Sequence, residues 1–171
     1  MKKLILIRHA KTETVVAGQN DFLRVLKPRG TSDALLMAEK LKEHSIKPDL
    51  IVSSPAKRAE QTALLFAQAF HYPIEKIDRQ QFIYDGYTSG EFVAFLNQQP
   101  DDCEQILVIG HNPEIAMLAI NLTDGNFFHF PTTATVVINF DTDSWKNANS
   151  REGKTELFIY PKQFKTDSHD D

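Results

Sequence analysis

The sequence predicts an α/β fold, a three-layer α/β/α sandwich around a mostly parallel sheet. Three observations predict it. Leu4-Ile5-Leu6-Ile7, Asp49-Leu50-Ile51-Val52 and Gln105-Ile106-Leu107-Val108-Ile109 are short, mainly apolar runs that read as buried strands. Segments with helical spacing separate them through about residue 122, and alternation of this kind places helices on both faces of a parallel sheet. A chain of 171 residues, 42% hydrophobic and 25% charged, suits one domain with a full core.

The first strand follows Lys3 and ends at Arg8-His9 without a turn residue. Residues 29–46 carry Ala34, Met37, Ala38 and Leu41 at i, i+3, i+4, i+7, which predicts an amphipathic helix opened by Thr31, Ser32 and Asp33. Pro48 ends the connection to the second strand. Ser54-Pro55 predicts a serine cap and a first-turn proline for a helix reaching about Phe70. His71-Tyr72-Pro73 breaks it, and Ile74 to Ile83 reads as irregular strand and loop. Thr88 to Leu96 reads as a helix, Gln105 to Ile109 as the third strand, and Asn112-Pro113-Glu114 as another cap-then-proline helix start. Thr133–Phe140 and Leu157–Tyr160 read as late strands joined by a polar loop, 143–154. The domain is expected over 1–160, with a polar, frayed tail over 161–171.

The formal net charge of −4 argues against general nucleic-acid affinity. The charge is uneven, however. Residues 1–30 hold Lys2, Lys3, Arg8, Lys11, Arg24, Lys27 and Arg29 against Glu13 and Asp21, either a focus for an anionic ligand or a group of solvated cations. Cys103 is the one cysteine, so no intrachain disulfide forms, which fits a reducing compartment. It follows Asp101-Asp102 in a polar turn and reads as structural or incidental. Four apolar residues before Arg8 are too few for a signal-peptide core, and no apolar run reaches membrane-spanning length. The expected location is the cytoplasm, with neither nucleic acid nor membrane as a partner.

Three strand-to-helix junctions share one register: Ile7-Arg8-His9, Ser53-Ser54-Pro55-Ala56-Lys57-Arg58 and Ile109-Gly110-His111-Asn112-Pro113. Ligands of open parallel sheets bind beyond the carboxyl ends of the strands. The junctions therefore bring two arginines, two histidines and two helix N-termini to one cleft, a set that suits a dianionic phosphate. Taken singly, Arg8 reads equally as an ion-pair partner, His9 as a loop residue and His111 as a cap accessory. Three junctions in one register favour the cleft. Nearby cations keep an imidazole neutral and nucleophilic, while a second, protonated histidine can donate to phosphoryl oxygens. No carboxylate precedes Glu60 and Glu114 in these segments, so no chelated metal is implied.

The segments LIRHA, VSSPAKRAEQTA and VIGHNPE together resemble the histidine phosphatase superfamily, with its phosphoglycerate-mutase-like fold, and most of all its SixA-type phosphohistidine phosphatase branch. The resemblance weakens after about residue 140. It implies that His9 is the nucleophile that becomes phosphorylated, that Arg8 and Arg58 bind phosphate, and that His111 is the pocket's second histidine. Asp21 to Gly30 resembles the branch's DxxRPLTxxG, with Val25 and Lys27 departing from it, and implies Arg24 as a third phosphate ligand. The family's RHG stands here as Arg8-His9-Ala10. Larger members use a carboxylic acid as proton donor. Asp85, in a Gly-containing loop, is the candidate, with turn formation as the competing explanation, and Glu91 lies further on.

The expected function is a phosphatase acting through a phosphohistidine intermediate on His9, without metal or organic cofactor. Its expected substrate is phosphohistidine on a phosphotransfer-type protein, and inorganic phosphate is the product. The alternatives are a small-molecule phosphomonoesterase acting on a phosphorylated metabolite, or a non-catalytic phosphate-dependent binding module. His44, His71, His129 and His169 match no zinc spacing. The aromatic cluster around His129 reads as core or pocket rim.

Overall fold

The computed structural model describes residues 1–165. The strands are β1 (Lys2–Arg8), β2 (Leu50–Ser53), β3 (Asp78–Arg79), β4 (Gln105–Gly110), β5 (Thr135–Phe140) and β6 (Lys154–Ile159). They form one sheet in the order β3-β2-β4-β1-β5-β6. β1 runs parallel to β4, with Arg8 opposite Gly110, and antiparallel to β5. β2 pairs in parallel with both β3 and β4, and β6 pairs antiparallel with β5. The parallel half therefore carries the three junctions to one edge.

Side-chain alternation along β1 separates two cores. Ile5 and Ile7 pack with Ala34, Met37 and Leu41 of α1 (Pro28–Glu43) and with Ala63 and Phe66 of α2 (Lys57–Ala69). Leu4 and Leu6 face Phe92 and Leu96 of α4 (Ser89–Asn97) and Ile115, Leu118 and Leu122 of α5 (Glu114–Thr123). The short α3 (Gln81–Asp85) precedes α4. All four apolar β1 residues are fully buried. Each contributes about 1.5–3 kcal/mol of transfer free energy, so the strand that delivers Arg8 and His9 is held firmly on both faces.

Several local expectations are corrected. α1 starts at Pro28, not at Thr31–Asp33, because proline suits the first turn and Lys27 supplies the extended cap backbone. Ser54 does not cap α2: its Oγ accepts from Ala56 N–H in a bend, and the helix begins at Lys57. Asn112 does not cap α5. Its Nδ2 donates instead to the Phe130 carbonyl at 2.9 Å. Phe82 and Ile83 lie in α3 rather than in a strand, because Ile83 turns into the core. The loop over 143–154 is not wholly polar. It contains a 3-10 turn, Trp145–Asn147, whose fully buried Trp145 donates from Nε1 to the Cys103 carbonyl at 2.5 Å. Cys103 is itself buried, and burial pushes its thiol pKa up to about 11.

The tail expected from Pro161 is packed over 161–165. Pro161 is buried, Lys165 Nζ lies 2.6 Å from Asp33 of α1, and Lys40 Nζ sits 4.6 Å from the Phe164 ring centroid. Residues 166–171, His169 among them, lie outside the described residues. Among the described residues, no helix is long and apolar enough to cross a membrane.

Candidate active site

β1 ends at Arg8, and the next residue, His9, donates its N–H to the Gly110 carbonyl at 3.0 Å. This bond ties the first junction to the third. Ala10 N–H donates to Thr62 Oγ1 at 3.0 Å, and the Thr62 hydroxyl donates to the Arg58 carbonyl at 2.8 Å. The first junction is thereby tied to the first turn of α2. Ala10 is fully buried, so the methyl group in place of the family glycine is accommodated.

The His9 and His111 ring centroids lie 5.3 Å apart. His9 Nδ1 is 2.9 Å from the Ala10 carbonyl oxygen. A carbonyl only accepts, so Nδ1 bears the proton and Nε2 keeps its lone pair. Burial is the main force pushing the His9 pKa down to about 3. The Ala10 bond opposes it, and the charges of His111, Arg58 and Arg8 add to it. His111 Nε2 lies 2.7 Å from Ser54 Oγ. Burial, followed by the Arg58 charge, lowers the His111 pKa to about 4, with Asp21 acting in the opposite direction.

Three guanidiniums surround this pair. Arg8 donates to the Phe130 carbonyl at 3.1 Å, and burial and then Arg24 lower its pKa. Arg24 donates to Thr12 Oγ1 at 3.0 Å and pairs with Asp21 at 3.2 Å. Arg58 donates to the Asp21 backbone carbonyl at 2.9 Å and to its carboxylate at 3.1 Å. Nε of Arg8, Arg24 and Arg58, and Nδ1 of His111, are buried and hydrogen-bond to nothing among the described residues. Unpaired buried nitrogens at a single site call for an explanation, and an oxyanion ligand supplies acceptors for them.

The family model of the histidine phosphatase superfamily (branch 1) matches residues 4–83, a span holding Arg8, His9, Arg24 and Arg58. A Mycobacterium tuberculosis relative, an uncharacterized protein, is 32% identical over 116 residues, covering 68% of this chain and 69% of the relative. The chain belongs to the histidine phosphatase superfamily. Phosphoserine phosphatase 1 of Hydrogenobacter thermophilus is 36% identical over 117 residues, which is 67% of this chain. The chain spans about half, 54%, of that relative's length. A solved structure of the protein histidine phosphatase SixA complexed with tungstate shares the fold: TM-score 0.81, 24% identity, 95% of this chain and 99% of that one covered.

Within this superfamily fold, Asp85 makes no bond to the cluster among the described residues. It is exposed at the end of α3, where its carboxylate accepts from Gln81 Nε2 at 3.0 Å. No hydrogen bond or ion pair joins it to the five residues among those described. Glu91 is engaged in the capping box of α4, accepting from Thr88 N–H at 3.0 Å. The carboxylate at the cluster is Asp21, which sequence reasoning passed over as a site residue. The DxxR pattern was its signal. Partial burial acts upward on its carboxyl, but the Arg58 and Arg24 charges, with hydrogen bonds from Arg58 and Tyr84, outweigh this and hold it below the usual range. It therefore stays ionised near neutrality. Tyr84 was also missed: its hydroxyl donates to Asp21 at 3.2 Å, and its ring stands edge-on to His111 at 5.9 Å. Among the described residues, no cluster of three or more His, Cys, Asp or Glu is placed to hold a metal ion.

Proposed function

We propose that the chain is a phosphatase that carries the phosphoryl group on His9 and acts on phosphohistidine of a protein such as a phosphotransfer domain. One observation carries the reading. His9 is neutral, with its Nδ1 proton directed to Ala10 and its Nε2 lone pair free, among guanidiniums that have unpaired nitrogens.

In this reading Arg8, Arg24 and Arg58 neutralise the phosphoryl oxygens, and the His9 Nε2 lone pair attacks phosphorus in line. The substrate P–N bond breaks as the new one forms. The positive charge developing on the His9 ring is shared with Nδ1–H, where the Ala10 carbonyl stabilises it. The leaving imidazole departs as a neutral base if it arrives protonated, so a strong enzymatic acid is not required. Water then attacks the phosphoryl group of His9. The bonding pair returns to Nε2, a water proton goes to solvent and inorganic phosphate leaves. A dianion at the site favours protonated His111, whose unpaired Nδ1 can then donate to a phosphoryl oxygen.

The second reading, a small-molecule phosphomonoesterase, is favoured by the name of the Hydrogenobacter relative. An alkoxide leaving group needs a proton, which gives Asp85 a role only if it reaches the site. The experiment is turnover of phosphohistidine peptides and a phosphoester panel by wild type and Asp85→Asn. We expect phosphohistidine turnover, with a loss of less than about tenfold in Asp85→Asn, short of what removing a true acid costs. A phosphoester that wild type hydrolyses well and Asp85→Asn hydrolyses about a hundredfold more slowly or worse would establish the second reading. Phosphate binding without any turnover would leave a binding module.

A further inference from the structure

The basic N-terminal segment divides in three dimensions. Lys2 reaches the Asp101 carbonyl and Lys3 pairs with Glu156, away from the junction edge of the sheet. Lys11 and Arg29 instead line an open cleft of about 500 Å³ that shares Arg8 with the phosphoryl site and includes Phe128 and His129. No carboxylate lines this cleft among the described residues. Lys11 makes no ion pair among them either. Arg29 stands 3.8 Å from Asp33, but Asp33 is buried and already held by Lys165 at 2.6 Å, so the cleft keeps an excess of positive charge on a chain of net charge −4.

The apolar surroundings indicate how large the occupant is. Phe128, on this cleft, is 80% exposed, although its neighbours Phe127 and Phe130 are buried. Beyond the arginines, the loop around Asp21 exposes Val15, Val16 and Leu23 by 59%, 64% and 57%. Large apolar side chains are thus exposed both on this cleft and along the loop whose Asp21 and Arg24 join the cluster. A small leaving group would cover one of these patches at most, whereas a polypeptide can cover both.

We infer that the Lys11–Arg29–Phe128 cleft is a docking subsite for an acidic segment flanking the phosphorylated residue of a protein substrate. The segment's carboxylates meet Lys11 and Arg29, and one of its apolar side chains rests on Phe128. The inference depends on the chain being a phosphatase of protein-borne phosphohistidine.

The test compares free phosphohistidine with phosphohistidine peptides whose flanks are acidic, neutral or basic. Wild type should favour the acidic over the neutral peptide by about tenfold or more in kcat/KM, a difference of about 1.4 kcal/mol, and the preference should shrink as salt is added. The double variant Lys11→Gln, Arg29→Gln should lose it through KM while kcat on free phosphohistidine stays within about twofold of wild type, since neither residue bonds the reacting group. Phe128→Ala should weaken all peptides and leave free phosphohistidine unaffected. Equal rates on acidic and neutral peptides by wild type, or a preference that survives in the double variant, would overturn the subsite. So would a Lys11- and Arg29-dependent preference confined to small carboxylated phosphoesters. Failure of wild type on free phosphohistidine and on every phosphohistidine peptide would remove the parent reading, and this result is separate from the others. If the double variant does not fold, the wild-type peptide preference and its salt dependence decide alone.

Discussion

His9 and His111 hold their neutral forms against water because both are buried beside arginines, and this has a consequence for stability. In the folded chain their pKa values lie at about 3 and about 4, against 6.5 for an unperturbed histidine. Between those limits the unfolded chain binds protons that the folded chain does not. Stability must therefore rise with pH through this window and fall as pH drops from 6.5 toward 4. The slope approaches about 1.4 kcal/mol per pH unit for each histidine. Denaturant melts between pH 4.5 and 7 on wild type and on His9→Asn, His111→Asn should show a clearly flatter slope in the double variant. Parallel slopes would mean that these rings titrate normally. That Arg8, His9, Arg58 and His111 converge was legible in the sequence because each belongs to a strand-to-helix junction, where topology fixes direction. Asp21 and Tyr84 were less so: their bonds join a loop, α2 and α3 across 37 and 63 positions of the chain.

At the scale of elements, the site depends on how closely the segment after β1 approaches α1. A Cβ added to Gly30 would lie 2.3 Å from the Lys11 backbone carbonyl oxygen. Lys27 N–H donates to that same oxygen at 3.0 Å. Gly30→Ala must therefore push α1 away from the residues that follow His9. Overpacking of this kind costs about 1–3 kcal/mol, and we expect urea melts to show a loss in that range together with weaker phosphate binding, because Arg24 precedes α1 by four residues and bonds to Thr12 in the segment that follows His9. A variant as stable as wild type would show that the two backbones separate freely. Sequence patterns located this helix but not its first residue. Gly30 followed by Thr31, Ser32 and Asp33 imitates a start signal, while the stronger determinant, Pro28 with its fixed φ, lies just upstream. Ser54-Pro55 and Asn112-Pro113 misled for a related reason. Ser54 closes a local turn on Ala56 N–H ahead of the helix and meets His111, and Asn112 donates to the Phe130 carbonyl; the last two partners lie beyond short-range rules.

For the whole molecule, the sheet converts separate strand ends into one cationic site in an otherwise acidic chain. An anion that binds there should stabilise the fold as a unit. Phosphate, sulfate or vanadate at a hundred times its Kd should add about 2.7 kcal/mol, visible as a rise in Tm, and should inhibit competitively, while chelators leave turnover intact. No shift with any of the three anions would deny the site its ligand class. The α/β layering was legible because buried parallel strands have a distinct composition. The antiparallel addition of β5 and β6 was legible only as two late strands, since their pairing and the bulge at Val137/Ile138 are set by contacts distant in sequence. The packing of residues 161–165 on α1 was hidden for the same reason: Lys165 and Asp33 are brought together only by the finished fold.

The central claim is that His9 accepts the phosphoryl group, and the most direct measurement is to trap it there. Labelled phosphohistidine substrate is mixed with the protein, quenched within the first turnovers without acid, digested and mapped. Label is expected on the peptide containing His9, stable to alkali and lost in acid, with neither label nor turnover in a folded His9→Ala. Label on another residue, or wild-type turnover by His9→Ala, would contradict it.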